Sequence, residues 1–361
     1  MDDKISYQAT LFSNRLAKKY RLLRKWARKN RITCYRLYDR DIPEIPLAVD
    51  LYEFVKDGIE DKAEYAKAFF EENERISKND ENALAEKRAR SFLHVYLYER
   101  PYKKDENDEA VWLSKMVEAA SKTLDISLER IIKKTRKKQR GENQYEKIKN
   151  EKKIAGIVQE CGQLFFVNLS DYLDTGLFFD HRPLRNEVRK TCSGKRVLNL
   201  FCYTGAFSVY AAEGRAKSVE SVDLSKTYLD WACKNVRLNG FNENDSKFSF
   251  VRSDVQFFLE NAIRTQKKYD IIILDPPTFS NSKATKNTLD INLDWKKQVR
   301  ACISLLDSGG TLYFSTNSKK LKFDASAISD VCSKIEDWTA TSIPEDFAHT
   351  RPHRLWKISA P

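Results

Sequence analysis

Three aspartates in the second half of the chain each follow a short apolar run. Asp223, Asp254 and Asp275 stand where a predicted strand ends. A carboxylate there can accept hydrogen bonds from a ribose diol or from a base amino group. One such aspartate alone is typical of a helix cap. Because ligands bind at the carboxyl ends of parallel strands, the set of three predicts a pocket for a nucleoside.

The turn that precedes these aspartates separates the classes of nucleoside cofactor. It runs from residue 199 to 207 and contains one glycine, Gly205. The three-glycine pattern that seats a pyrophosphate is absent, which disfavours nicotinamide and flavin cofactors. A nucleoside without a diphosphate fits, with its ribose on Asp223, its adenine amine on Asp254 and its amino-acid end over the Gly205 turn. We predict S-adenosylmethionine as the cofactor.

The segment DPPTF at residues 275–279 predicts a pocket for a planar base. Two prolines after a buried strand form a rigid turn whose carbonyls lack ladder partners and point into the cleft. An aromatic beside them can stack on a base that has been extruded from its helix, as nucleobase methylation requires. The catalytic candidates are Asp275, Pro276 and Phe279, with Phe279 as the stacking residue.

Residue types distinguish three base chemistries. Cytosine-C5 methylation needs a cysteine thiolate after the DPP-type turn or after the next strand, and those places hold Thr278 and Asn317. Adenine-N6 methylation favours an aromatic directly after two prolines. Thr278 separates Phe279 from Pro277, a modest departure that leaves this reaction open. Guanine N7 carries a lone pair and no proton, so its methylation needs positioning but no general base. Asp275 would then accept from the guanine edge and stabilise the developing cation.

The elements that must hold these residues alternate along the chain. After residue 195, short apolar runs are separated by stretches with a helical period. This alternation predicts an α/β, Rossmann-like domain with a mostly parallel sheet covered on both faces. The predicted strands are 196–201, 218–222, 248–251, 269–274 and 311–314.

The first half of the chain is more basic and differently organised. Residues 11–40 contain eleven Lys and Arg against one acid, with apolar residues at helical spacing. They predict an amphipathic helix with a basic outer face, stopped by Pro43 and Pro46. The predicted domains are a basic helical arm (1–47), a small α+β RNA-binding domain (48–170) with a charged helical insertion (56–88), and the α/β domain (171–361).

A second basic block spans residues 133–141, six of which are cationic. Fixed Lys and Arg side chains displace the counterions condensed on nucleic-acid phosphates. Solvated helix faces and solubilising hairpin tips have the same composition, so both basic segments could be ordinary solvent-exposed surface. A second alternative that stays open is an RNA-binding module without catalytic activity. The predicted RNA contacts are Arg15, Lys19, Arg24, Arg28, Lys134, Arg136, Lys138 and Arg140.

Composition limits the classes of partner, metal site and cellular location that the sequence predicts. The net charge of +12 favours polyanionic partners. The seven cysteines are widely spaced, with no CxxC pair, so we expect neither a zinc site nor a disulfide framework, and no metal. The sequence shows no signal-peptide pattern and no apolar run of the ~20 residues that cross a bilayer. We therefore expect a cytoplasmic protein that does not contact a membrane.

Four stretches of the chain resemble one family. They are KTR at 134–136 with Gln144 and Tyr145, DYLDTGLFFDHR at 171–182, NLFCYTG at 199–205 and DPPTFSNSK at 275–283. Together they are similar to the C-terminal, guanine-N7 module of the bacterial RlmKL family, from about residue 12 to the C-terminus. The resemblance implies a class I methyltransferase fold with a seven-stranded sheet, S-adenosylmethionine as donor, and a guanine in the peptidyl-transferase region of 23S rRNA as acceptor.

The resemblance also implies that Asp180 and Arg182 join the strand ends around the cofactor. The predicted cofactor contacts are Asp180, Arg182, Asn199, Phe201, Tyr203, Thr204, Gly205, Asp223, Leu224, Asp254, Val255 and Asp275. The 56–88 insertion is longer than the family pattern, so no contacts there are carried over.

The resemblance sets expectations for reaction and partners as well. The THUMP domain and the guanine-N2 half that precede this module in the family are missing from the sequence, so we expect the N7 reaction alone. The expected partner is 23S rRNA or a large-subunit assembly intermediate. A separate guanine-N2 methyltransferase is a candidate partner.

Overall fold

The computed structural model describes residues 2–59, 61–100, 102, 104–136, 153–172, 174–280 and 289–361. The chain divides into two compact units. Unit 1 comprises Met1–Thr175 and Glu345–Thr350, and unit 2 comprises Gly176–Pro344 and Arg351–Pro361. The predicted borders after residues 47 and 170 stay a prediction.

Unit 1 is built around a four-stranded sheet in the order β1-β2-β3-β4 and a separate hairpin, β5-β6. The sheet is antiparallel except for the parallel pair β3 and β4. Its helices and strands, in chain order, are α1 (Asp2–Lys29), β1 (Cys34–Asp39), β2 (Leu47–Glu53), α2 (Lys62–Ser77), α3 (Glu81–Ala89), β3 (Ser91–Tyr98), α4 (Glu106–Leu124), β4 (Ile131–Arg136), β5 (Ala155–Glu160) and β6 (Gln163–Asn168).

The long basic helix α1 belongs to the core of unit 1. Its apolar stripe, which includes the fully buried Phe12 and Leu16, packs in one cluster with residues of the sheet and of α4. The expectation that this helix continues to Arg40 is wrong. The chain leaves the helix after Lys29 and takes a positive φ of 53° at Arg31. Residues 34–39 then form a strand that pairs with β2, and four of its six residues are buried.

Unit 2 contains a seven-stranded mixed sheet in the order β14-β15-β13-β10-β7-β8-β9. Its elements are α5 (Arg182–Thr191), β7 (Arg196–Leu200), α6 (Ala206–Glu213), β8 (Ser218–Asp223), α7 (Lys226–Leu238), β9 (Phe248–Arg252), α8 (Val255–Arg264), β10 (Tyr269–Leu274), β11 (Phe279–Ser280), β12 (Leu289–Asp290), α9 (Ile291–Ser304), β13 (Leu306–Thr316), β14 (Lys334–Asp337), α10 (Thr339–Ser342) and β15 (Arg354–Ser359).

Strands β13, β10, β7, β8 and β9 run parallel, and β15 pairs antiparallel with both β13 and β14. The prediction of a mostly parallel, Rossmann-like sheet of seven strands is confirmed. The central strand β10 shows why, because its residues 271–274 are all buried, as expected where helices cover both faces. Within the described ranges, no helix is both long and apolar enough to cross a membrane.

Candidate active site

The order of the strands in unit 2 reverses at β7, which lies between β8 and β10. In open α/β sheets, ligands bind at the carboxyl ends of the strands at such a point. The turn that follows β7 has positive φ at Phe201 (54°), Tyr203 (51°) and Gly205 (73°). Positive φ is uncommon for residues other than glycine and collects at functional sites, where the surroundings enforce it.

Asp223, the last residue of β8, is tied to this turn. Its Oδ2 accepts a hydrogen bond from the backbone N–H of Tyr203 at 3.0 Å, and its Oδ1 accepts from that of Ser225 at 2.9 Å. Burial raises the pKa of the Asp223 carboxyl, and the backbone donors partly offset this effect. A carboxylate has about four acceptor sites. Asp223 can therefore accept the two hydroxyls of a ribose in addition to the backbone.

Gly205 has a packing role that the sequence did not indicate. A Cβ at this position would lie 2.6 Å from Cβ of Ala232 on α7. The glycine therefore allows the start of α6 to approach α7, besides taking φ of 73°. Thr204 beside it is fully buried, and its Oγ1 donates to the carbonyl of Gly176 at 2.6 Å.

Two other predicted cofactor residues also have side chains that are engaged within unit 2. Asn199 is buried, and its Nδ2 donates to Oγ of Ser208 at 2.9 Å. Val255 is 3% exposed and lies in the apolar core, whereas Leu224 is half-buried. With their side chains so engaged, Asn199, Thr204 and Val255 are best suited to offer backbone groups to a cofactor.

Asp254 forms the N-cap of α8, because its Oδ1 accepts from the backbone N–H of Phe257 at 3.0 Å. This is the ordinary role of an aspartate before a helix. It also fixes the carboxylate at the end of β9, next to the end of β8. The structure thus brings Asp223 and Asp254 to one edge of the sheet, together with Asp275 after β10.

The carboxylate of Asp275 is held from two sides. Its Oδ1 accepts a hydrogen bond from Oγ of Ser315 on β13, and its Oδ2 lies 3.3 Å from Nε2 of His181. The side chain is 30% exposed, so a ligand can reach the remaining acceptor sites. Burial alone would raise the pKa of Asp275, but His181 and the hydroxyl of Ser315 outweigh this effect and lower it.

The residues after Asp275 differ in their exposure to solvent. Pro276 is buried, whereas the ring of Phe279 in β11 is 52% exposed. Between them, Oγ1 of Thr278 donates to Oδ1 of Asn317 at 2.6 Å. The two positions where a cytosine-C5 enzyme would carry its thiol therefore hold side chains that are hydrogen-bonded to each other.

Two histidines complete the site, and sequence reasoning did not single them out. His353 Nδ1 lies 2.8 Å from Oδ2 of Asp180, and its Nε2 lies 2.8 Å from Oγ of Ser342. The rings of His353 and His181 stack at 4.2 Å between centroids. The signal that could have located His181 is its place in the FDHR motif, but the partner His353 is distant in sequence.

Three of these side chains offer ligand atoms that lie within 4.8 Å of one another, namely Asp180, His181 and His353. A carboxylate can only accept, so His353 Nδ1–H donates to Asp180. A cation would have to displace that hydrogen bond. We therefore interpret the group as a hydrogen-bonded cluster. Arg182, also predicted here, is 2% exposed and its guanidinium lies 5.7 Å from the ring centroid of Phe179.

The predicted RNA contacts on α1 separate into two kinds. Arg15 and Lys19 are half-buried. Nε of Arg15 lies 2.6 Å and Nζ of Lys19 lies 3.8 Å from Oδ2 of Asp41. Arg24 and Arg28 are exposed. A stripe of exposed cations runs along the helix at spacings of three and four residues, and none of its members has an ion-pair partner in the described part of the chain. The stripe comprises Lys18, Arg21, Lys25 and Arg28.

The second basic block is described only in part. Lys134 is 8% exposed and its Nζ donates to the carbonyl of Tyr172, so the expectation of an open phosphate contact at this residue is wrong. The backbone of Arg136 ends β4. Lys138 and Arg140, like Gln144 and Tyr145, lie outside the described residues, and their predicted roles stay predictions.

Comparison with known proteins places the chain among methyltransferases. The profile of a family described as S-adenosylmethionine-dependent methyltransferase matches residues 70–328. The ribosomal RNA large subunit methyltransferase K of Neisseria meningitidis is 40% identical over 355 residues, covering 97% of this chain and 87% of that protein. The ribosomal RNA large subunit methyltransferase K/L of Stutzerimonas stutzeri is 39% identical over 358 residues, covering 99% of this chain but 43% of that protein.

The fold has a solved counterpart. The crystal structure of SMU.776 complexed with S-adenosylhomocysteine superposes with a TM-score of 0.68 at 21% identity, covering 98% of this chain and 82% of that one. At this identity the likeness shows a shared fold.

Proposed function

Because this chain belongs to the S-adenosylmethionine-dependent methyltransferase family, with the ribosomal RNA large subunit methyltransferases K and K/L as relatives, we propose that it methylates a guanine of 23S rRNA at N7. Its cofactor is S-adenosylmethionine, as predicted. The substrate is 23S rRNA or a precursor of the large ribosomal subunit. The relatives' names support an acceptor in large-subunit rRNA, and the site chemistry supports the choice of N7.

The residues at the sheet edge fit this cofactor. Asp223 can accept the ribose hydroxyls, because its backbone donors do not fill the roughly four acceptor sites of a carboxylate. Asp254 can accept from the adenine amine with the oxygen that does not cap α8. The strained turn around Gly205 offers backbone groups to the amino-acid end. When bound, S-adenosylmethionine supplies an electrophilic methyl group on a sulfonium.

The observation that carries the proposal is the pairing of a reachable carboxylate with an exposed aromatic. Asp275 is 30% exposed, and Phe279 is 52% exposed four residues later. Phe279 can stack on an extruded guanine while Asp275 accepts from its N1–H or amino edge. Guanine gains positive charge as N7 is methylated, and a fixed carboxylate is stabilising where that charge develops. The proposal needs no side chain to remove a proton.

The competing base chemistries lack support from the same residues. Cytosine-C5 methylation requires a covalent thiolate adduct. Thr278 and Asn317 stand at the expected places and are bonded to each other at 2.6 Å. For adenine-N6 methylation the aromatic should follow the prolines directly, whereas here Thr278 intervenes.

Unit 1 supplies the charge that RNA binding needs. The exposed stripe of Lys18, Arg21, Lys25 and Arg28 lies on a helix whose other face is buried in the core. Cations on a fixed scaffold gain affinity by releasing counterions from phosphates, without reading sequence.

The proposal is tested by mapping rRNA modifications in a deletion strain. Nuclease-protected fragments of 23S rRNA are analysed by mass spectrometry with and without the gene, and with the gene restored. We expect one 7-methylguanosine to disappear and to return on restoration. Loss of a 5-methylcytidine or an N6-methyladenosine instead would overturn the assignment to N7.

A further inference from the structure

One imidazole in unit 2 lies between two carboxylates. Nε2 of His181 is 3.3 Å from Oδ2 of Asp275 and 3.9 Å from Oδ2 of Asp180, and the residue is 5% exposed. Two carboxylates that face one buried region disfavour each other's ionisation, and one of them takes up a proton unless a cation lies between them. His181 is placed to be that cation.

The burial of His181 is poorly explained by stability alone. Its Nδ1 is buried and has no hydrogen-bond partner among the described residues. A buried polar atom without a partner costs about 1–3 kcal/mol. An apolar side chain would avoid this cost and still stack on the ring of His353. A buried histidine with an unpartnered ring nitrogen therefore indicates a functional role at the neighbouring Asp275.

We propose that His181 is a positioning residue for methyl transfer, an imidazolium that keeps Asp275 ionised and fixes its carboxylate, together with Ser315, toward the target base. This inference rests on the proposed function of Asp275. A protonated Asp275 would lose the negative charge that stabilises the methylated purine. His181 itself does not need to touch the cofactor or the RNA.

The charges around His181 favour this state. Burial lowers the pKa of His181, but Asp275 and Asp180 outweigh it and raise the pKa above the usual 6.5, while the neighbouring Arg185 opposes them. His353, whose ring stacks on that of His181, has its pKa lowered by burial and by the charge of His181. The cluster therefore holds one charged imidazole, and that charge persists until the pH rises through the raised pKa of His181.

The test is the pH dependence of single-turnover methylation by the full-length enzyme, with saturating S-adenosylmethionine and unmodified 23S rRNA. In His181→Gln, burial should raise the pKa of Asp275. We expect the acid limb of the pH–rate profile to move up by at least about one pH unit, so that the rate at a given pH on that limb falls at least about tenfold. Binding of S-adenosylhomocysteine should stay within about threefold of wild type, which also shows that the variant is folded.

His353→Gln is the matched control, because His353 bonds Asp180 and Ser342 and has no hydrogen bond to Asp275. The acid limb of the pH–rate profile of His353→Gln should lie at the same pH as in the wild type. A His181→Gln profile that is unchanged, or that falls equally at every pH with the limb in place, would overturn the proposal.

A second measurement does not depend on activity. The chain has four histidines, so ring-nitrogen NMR of the wild-type protein can follow each one during a pH titration. We expect His181 to lose its second ring proton only at a pH above the usual 6.5, and loss of that proton at or below pH 6.5 would overturn the inference. If the wild-type enzyme formed no 7-methylguanosine, the proposed function would fail, and this titration would still decide the state of His181.

Discussion

The two units use charge in opposite ways. At the sheet edge of unit 2 the charges are few and held by defined partners, as Asp223 is by two backbone N–H groups. On α1 of unit 1 the charges are many and exposed, and the stripe that begins at Lys18 has no ion-pair partner in the described chain. Methyl transfer needs groups fixed before the reaction, whereas phosphate binding needs cations free to displace counterions.

The contrast recurs within α1 itself. Arg15 and Lys19 lie against the buried carboxylate of Asp41 and serve the fold of unit 1. Lys18, one residue away, is on the exposed side. Basic residues that are adjacent in sequence therefore divide between structure and binding according to the helix face that each occupies.

The largest effect is expected from Asp275→Asn. The amide removes the negative charge while it keeps one acceptor, so single-turnover methylation should fall about 100-fold. Calorimetric titration with S-adenosylhomocysteine separates this loss from weaker cofactor binding, because Asp275 is also a predicted cofactor contact. A variant with full single-turnover activity at saturating cofactor and RNA would remove Asp275 from the mechanism.

The next effect is expected from Phe279→Ala. Stacking of a base on an aromatic ring is worth about 1–3 kcal/mol, so the KM for RNA should rise about 30-fold with cofactor affinity unchanged. Phe257→Ala is a suitable control, because Phe257 is 69% exposed on α8 and is not proposed to contact RNA. Equal losses in the two variants would show that exposed apolar area, and not a base pocket, explains the result.

A smaller effect is expected when Lys18, Arg21, Lys25 and Arg28 are all changed to Gln. RNA affinity should weaken about 20-fold, and the slope of log affinity against log salt should decrease by about one for each lost phosphate contact. Arg15→Gln, which leaves Lys19 with Asp41, should change neither quantity by more than the error of a filter-binding titration. An unchanged salt slope in the quadruple variant would move the RNA-binding surface away from α1.

The smallest effect is expected from Asp223→Asn. The loss of charge-assisted hydrogen bonds to the ribose should weaken S-adenosylmethionine binding about tenfold. The rate at saturating cofactor should stay near that of the wild type, because Asp223 is remote from the sulfonium in the proposed arrangement. A fall in that rate with unchanged cofactor affinity would contradict the assignment of Asp223 to the ribose.

The sequence predicted those parts of the site that depend on local pattern. Asp223, Asp254 and Asp275 follow apolar runs, and parallel strands place them at one edge whatever the details of packing. The cluster of His181, His353 and Asp180 could not be predicted, because His353 reaches Asp180 across 173 residues of sequence through the antiparallel strand β15.

The sequence also could not predict which side chains of the basic segments are buried. Lys134 lies in a run of cations that is typical of an exposed loop, yet it is 8% exposed and donates to Tyr172. The end of α1 at Lys29 likewise depends on tertiary structure. Residues 34–39 pair with β2 as a strand, so the helix cannot extend through them. Charge content predicted which segments are basic, and packing decided which of their side chains reach solvent.

The proposed guanine-N7 activity is measured directly by methylation of unmodified 23S rRNA by the purified protein with isotope-labelled S-adenosylmethionine, followed by nucleoside mass spectrometry. We expect the label to enter 7-methylguanosine at one site, and Asp275→Asn to reduce the rate of this reaction about 100-fold. Label found in 5-methylcytidine or N6-methyladenosine, or no label in RNA from a protein that binds the cofactor, would contradict the proposed activity.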